Sequence, residues 1–346
     1  MREIAVYGTG VCGNKIYNYL SELGVKISCF IKSTPVKNET FHNIPVLLAE
    51  EVIKYNNEII VIIAIEDKQT IIQIYHRLLE LGFDEKQIIN LNSSIYNFIL
   101  ANAVYNAKQI HNEGEYFCNC CNNNVLEFLP KEFEKSKIYE KYHIIGGGYR
   151  AHSICPICEA SDRNRWQKYV LENFTDIIQK ECNVLHIAPE EHIYKLISLN
   201  TKCDYYLGDI LRGKTDHKVD LTDIQFKDDF FDYIIANHVL EHIENLDLAF
   251  AEIKRVLKST GKLIISFPIC MDIKTKEDKS ITKPEDRLIE YGQSDHVRLF
   301  GSDYKEYIEK RNFKVEVMSP QNMLTADVIK KYGMIENDVI LICSIQ

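Results

Sequence analysis

Four cysteines form two C-x-x-C pairs, Cys118 with Cys121 and Cys155 with Cys158. A C-x-x-C turn presents both sulfurs to one side, so the two pairs offer the tetrahedral thiolate set of a structural zinc ion. The 33 residues between the pairs exceed the spacing of compact sites, and Cys120 is a competing ligand. Unligated thiols are therefore the alternative. Four thiolates leave no open position, so such an ion would staple this stretch or shape a rim and would not react. Nearer the N-terminus, Gly8-Thr9-Gly10-Val11-Cys12-Gly13 reads G-x-G-x-x-G between a strand pattern and a helix pattern. Backbone N–H groups in that setting can hold a phosphate, which makes Gly8, Gly10 and Gly13 candidates for a nucleotide or sugar nucleotide. A dinucleotide site also needs an acid about 20 residues on, and Lys32-Ser33-Thr34 stands there instead. The other reading is that the glycines only let strand and helix pack closely.

The elements that must carry these residues follow from length and pattern. A chain of 346 residues holds two to three domains, and 46% hydrophobic with 26% charged residues is the composition of a folded protein. A net charge of −9, with eight acidic and eight basic residues between Glu113 and Lys168, argues against nucleic acid as a partner. The longest aliphatic run, Ile59–Ile65, falls far short of the ~20 residues of a membrane span, so no membrane insertion is expected. The strand-like start has no leader pattern, so the expected location is cytoplasmic. Strand and helix patterns alternate over the first ~90 residues: strands at Ile4–Tyr7, Lys26–Ile31, Ile59–Ile65 and Gln87–Leu91, with helices from about Asn14 and over Lys68–Leu81. The expected organisation is a small Rossmann-like parallel α/β domain over 1–92, a helical linker over 93–112, a zinc ribbon over 113–165 reaching past Gly146–Gly148, and a doubly wound α/β domain over 166–346. That last part reads as NVLHIA, DYYLGD, DYIIAN and KLIISFP with helices between, closed by FKVEVM and DVILICSI, the final strand antiparallel.

The runs VLHIAPE, GD, VDLTDIQFKDDFFDYIIANHVLEHI and AEIKRVLKSTGKLIISFPI together resemble the consecutive strands of a class I S-adenosylmethionine-dependent methyltransferase. The likeness is greatest to bacterial members with a zinc-ribbon preface ending in CPxC and a late GQxDHVRxxG motif, which resemble those found with capsule and lipopolysaccharide genes. It extends from about Cys118 to the C-terminus. The resemblance implies S-adenosylmethionine as methyl donor, and the residues agree with it. Asp209, ending the second strand of this part, suits the two ribose hydroxyls. Asp220 with Leu221 suits the adenine, and Asn237 with His238 ends the fourth strand at the crevice where open α/β sheets bind ligands. Each of the aspartates could instead be a turn or cap residue. The first loop departs from the pattern: Ala188-Pro189-Glu190-Glu191-His192 stands where glycines are customary. A different loop path is expected, with Glu190 receiving the ammonium of the methionine moiety and His186 bonding within the loop.

On the acceptor side, GQSDHVRLFG at Gly292–Gly301 is expected to overhang the site. His296 is the candidate base for a hydroxyl acceptor, Asp295 its orienting carboxylate, and Arg298 a holder of a phosphate, carboxylate or sugar hydroxyl pair. Alternatively, Asp-His-x-Arg knits this loop onto the domain. The expected function is O-methylation of a surface-glycan precursor or its phospho-substituent, on a small-molecule or glycan-linked acceptor such as a sugar nucleotide or phospho-sugar. The rivals are a non-catalytic scaffold with a degenerate donor loop and a nicotinamide-dependent sugar enzyme using the N-terminal turn, the latter weakened by Lys32.

Overall fold

The computed structural model describes residues 3–35, 37–55, 58–65, 67–89, 114–131, 136–211 and 215–346. The helical linker expected over 93–112 lies outside the described residues, as does the end of the strand expected to reach Leu91. The chain divides into two compact units, one built on residues 1–115 and one on 160–346, with the stretch 116–159 divided between them. Among the described residues no helix is long and apolar enough to cross a membrane.

Among the described residues, the smaller unit is built on a six-stranded sheet: β1 (Ile4–Tyr7), β2 (Ile27–Ile31), β3 (Thr40–Phe41), β4 (Ile44–Leu47), β5 (Ile60–Ile63) and β6 (Ile88–Ile89), in the order β3-β4-β2-β1-β5-β6. All neighbours are parallel except β3 and β4. The strand Ile44–Leu47 and the hairpin it makes with Thr40–Phe41 are additions to the four strands expected here. The glycine turn enters the helix Val11–Glu22. Gly8 has φ +116°, and a Cβ on Gly13 would meet Gly8 O at 2.1 Å, so backbone approach inside the turn requires glycine at both. Lys32 is paired with Glu39 at 2.9 Å.

The stretch 116–159 contributes short strands β7 (Tyr116–Cys118), β8 (Asn123–Val125), β9 (Leu129–Lys131), β10 (Ile144–Ile145) and β11 (Arg150–Ile154). The larger unit then builds seven strands: β12 (Cys182–Ile187), β13 (Cys203–Asp209), β14 (His217–Lys218), β15 (Phe231–Asn237), β16 (Leu257–Ser266), β20 (Phe313–Met318) and β21 (Ile340–Ile345). Between β16 and β20 run β17 (Ile269–Cys270), β18 (Lys276–Glu277) and β19 (Arg298–Gly301). The large sheet has the order β14-β13-β12-β15-β16-β21-β20, parallel except that β21 runs antiparallel to both of its neighbours. Its central strands β12, β15 and β21 are apolar runs buried on both faces, as a sheet with helices on each side requires, whereas the edge strand β20 alternates buried Phe313 and Val315 with exposed Lys314 and Glu316. Leu185, Ile234, Phe250 and Leu341 pack on one face, Val184, Ile235, Trp166 and Ile342 on the other.

Two segments differ from expectation. The polar connection before the last strand contains the short helices Pro320–Met323 and Ala326–Tyr332. Within the run read as an overhanging loop, Arg298–Gly301 is a strand, parallel to β17 and antiparallel to β18.

Candidate functional site

Strands β12 and β15 end side by side at the carboxyl edge of the large sheet, where their following loops diverge and leave a crevice. A cavity of about 350 Å³ lies there, lined by Ala188, Glu190, His192, Asn237 and His238 from these loops. Arg163 and Gln167 of the helix Asp162–Phe174, Lys131, and Asp338 with Val339 complete the wall.

The loop after β12 takes its path without glycine. Ala188 adopts φ +47°, the left-handed conformation that an L residue rarely holds. Its N–H donates to Gly208 O at 2.8 Å. His186, buried on β12, bonds Tyr205 Oη through Nδ1 at 2.6 Å and Glu190 Oε2 through Nε2 at 2.8 Å, which fixes the Glu190 carboxyl on the cavity wall. Pro189 is half-buried between them.

Asn237 is 4% exposed. Its Oδ1 accepts from Ser266 Oγ at 3.0 Å, while its Nδ2 has no hydrogen-bond partner. His238 follows at φ +53°, bonded to the Arg163 guanidinium through Nε2 and to Glu241 Oε1 through Nδ1 at 3.2 Å. Burial and the cations Arg163, Arg150 and Lys131 hold the His238 imidazole well below its usual pKa, so it is neutral at pH 7. Burial, then Arg163 and Arg150, push Lys131 down to about 8, against the opposing pull of Asp162. Asp338 goes the other way, raised to about 6 by burial and by Asp162 despite Arg163 and Arg150. Arg150 is itself paired with Asp162 at 2.7 Å.

Asp209 ends β13, and its Oδ1 accepts from Leu211 N at 2.8 Å. Asp220 follows β14, exposed, its Oδ1 accepting from Thr222 N at 2.8 Å and Thr222 Oγ1 at 2.7 Å, with Leu221 buried beside it. Both carboxylates thus make turn bonds through one oxygen, and neither lines the 350 Å³ cavity.

The acceptor-side expectations need correction. His296 is 2% exposed and stands off the cavity wall. Burial and the neighbouring His242 push it down to about 4. Asp295 does not orient it by a hydrogen bond: this carboxylate is 68% exposed and lies 3.3 Å from His242 Nδ1. Arg298 is fully buried, donating to Leu240 O at 2.6 Å, to Ile243 O at 2.5 Å and to both carboxylate oxygens of Glu277 at 3.2 Å. Its donors are spent on the protein, so it knits the segment onto the domain and is not presented to an acceptor.

A second hollow of about 720 Å³ is lined by Tyr139, Tyr142, His143, Tyr149, Gly146–Gly148 and Arg150. At Gly146 a Cβ would stand 3.9 Å from His238 Cε1 and 3.8 Å from Asp338 Oδ1, so this hollow begins where the first cavity ends.

The sulfurs of Cys118, Cys121, Cys155 and Cys158 lie within 4.8 Å of one another, a set able to hold a metal ion. Cys120 is outside that set, its Sγ 3.8 Å from Asn119 Oδ1.

Sequence reasoning did not single out Lys131, Arg163 or Asp338. None sits in a motif, and only the fold brings 131, 163 and 338 to one wall. The run of CPxC into a helix start at Ser161 was the one available pointer to Arg163.

Residues 198–265 match the family model described as a methyltransferase domain. A demethylmenaquinone methyltransferase of Streptomyces avermitilis is 35% identical over 69 residues, which is 18% of this chain. The chain spans 30% of the length of that relative. Among solved structures, a protein from Pyrococcus horikoshii matches with 20% identity over 53% of this chain and 92% of its own, TM-score 0.34. An S-adenosylmethionine-dependent methyltransferase from Aquifex aeolicus matches with 15% identity over 51% and 87%, TM-score 0.33. The residues matched by the methyltransferase-domain model all lie in the larger unit.

Proposed function

We propose that the protein transfers the methyl group of S-adenosylmethionine, bound at the carboxyl edge of the large sheet, to an oxygen of a surface-glycan precursor or its phospho-substituent. The observation that carries the donor assignment is Asn237. A buried amide nitrogen without a partner, on the wall of a cavity, is a donor kept for a guest. S-adenosylmethionine fits the remaining donors and acceptors. Glu190, held by His186, suits its ammonium. Arg163 and Lys131 suit its carboxylate, while its ribose and adenine would extend beyond the cavity wall towards Asp209 and towards Asp220 with Leu221.

Bound there, S-adenosylmethionine supplies an electrophilic methyl group. The chain's own contribution is alignment, because a displacement at carbon gains most from holding the nucleophile in line. The 720 Å³ hollow suits the acceptor, because the rings of Tyr139, Tyr142 and Tyr149 on its wall can pack against a sugar ring. Its junction with the donor cavity runs past His238, whose imidazole is held by Arg163 and Glu241 and so shapes the passage between the two hollows. An anionic phosphate oxygen as acceptor needs no base. We further propose that the four clustered cysteines hold a structural zinc ion, as their closed thiolate set supports.

Separate thermal-shift runs with S-adenosylmethionine, NAD and NADP test the donor assignment. Stabilisation by S-adenosylmethionine alone is expected. Stabilisation by a nicotinamide cofactor alone would favour use of the N-terminal glycine turn, and no response to any of the three would favour a scaffold role.

A further inference from the structure

Glu241 and His242 stand on the short turn Leu240–His242 after β15, and His296 comes from the segment entering β19. Val297 N donates to Glu241 O at 2.9 Å, which ties the two segments together. Ligand-capable atoms of Glu241, His242 and His296 lie within 4.8 Å of one another, and the two imidazole rings meet edge to face. Glu241 and His296 are each 2% exposed, yet Glu241 Oε2 and His296 Nδ1 have no hydrogen-bond partner. Buried polar atoms are nearly always partnered. Two orphans on side chains that come together from separate segments call for one shared guest.

We propose that Glu241, His242 and His296 bind one divalent transition-metal ion, with zinc the best match. Two imidazoles and one carboxylate are a donor set that suits zinc and leaves room for a further ligand. The groups behind the ligands are those such sites use. His242 Nδ1 lies 3.3 Å from Asp295 Oδ2, and the other oxygen of Glu241, Oε1, lies 3.2 Å from His238 Nδ1. An ion on Glu241 Oε2 therefore fixes the carboxylate that holds His238 at the cavity wall. This makes it a positioning centre for the site above and separate from the cysteine cluster. The assignment stands apart from the methyl-transfer reading, because its test counts metal.

The full-length protein is equilibrated with zinc, cleared of loosely held ion, and assayed for zinc per chain as wild type, His242→Ala, Glu241→Gln and Cys155→Ser. His242 is 34% exposed, so its truncation leaves the packing largely intact, and Glu241→Gln keeps the side-chain shape. The expected result is the loss of one zinc equivalent from wild type in His242→Ala and in Glu241→Gln, with circular dichroism unchanged. Cys155→Ser is expected to retain that equivalent. Equal zinc content in wild type, His242→Ala and Glu241→Gln overturns the proposal, whatever number the cysteines contribute.

Discussion

The imidazole of His186 holds the carboxylate of Glu190 at 2.8 Å across the turn that leaves β12. This pair does the work that glycines do in a tighter loop: it sets the path of Ala188-Pro189-Glu190 and places one charged group on the cavity wall. The cost sits at Ala188, whose φ of +47° is strained for an L residue.

Replacing that residue should relieve the strain. Ala188→Gly is expected to raise stability by about 0.5–1 kcal/mol, since glycine adopts this conformation freely but loses more chain entropy on folding. Urea unfolding of the two proteins measures it. A destabilised variant would mean that the methyl group contributes packing worth more than the strain.

Arg298 anchors the segment before β19 by its bonds to Leu240 O, Ile243 O and Glu277. Arg298→Ala leaves buried carbonyls and a carboxylate without their donor, and should destabilise the protein by about 3–5 kcal/mol. Chemical denaturation reads this directly. A stability loss below about 1 kcal/mol would return Arg298 to the acceptor side.

The class of fold was legible because the central strands of the large sheet are apolar runs and the edge strand β20 alternates apolar and charged residues. Their ends were found within a few residues: DYIIAN ends at Asn237, and FKVEVM is strand β20 from end to end. The segment 292–301 was not legible as structure. Arg298–Gly301 pairs with strands some 20 to 30 residues earlier, and nothing local in DHVRLFG signals that pairing. Arg298 therefore read as a ligand group when its charge is consumed inside. The small strand at Ile44–Leu47 carries Pro45 and is only four residues long, too short for a period to register. For the site, residues at strand ends followed from fold logic, whereas Lys131, Arg163 and Asp338 come together only through tertiary packing.

Asp338 makes stability depend on pH in a stated direction. Its folded pKa of about 6 lies above the ordinary value of 3.8, so the folded state keeps the proton longer and this residue's contribution falls as pH rises from about 4 to 6. Asp338→Asn removes that dependence while its amide oxygen can still accept from Val339 N. The variant should match wild type near pH 4 and exceed it by about 2–3 kcal/mol above pH 6, an upper figure since nearby cations respond. Denaturation series across that range test it; a difference independent of pH would show that Asp338 titrates normally.

Calorimetric titration of the 346-residue chain with S-adenosylmethionine decides whether the donor binds at the carboxyl edge of the large sheet. One saturable site per chain of micromolar affinity is expected, weakened by about 1.5–3 kcal/mol, or roughly 10–150-fold, in Asp209→Ala, as for loss of a charged hydrogen-bond acceptor. Wild-type protein that takes up no S-adenosylmethionine at millimolar concentration would contradict it.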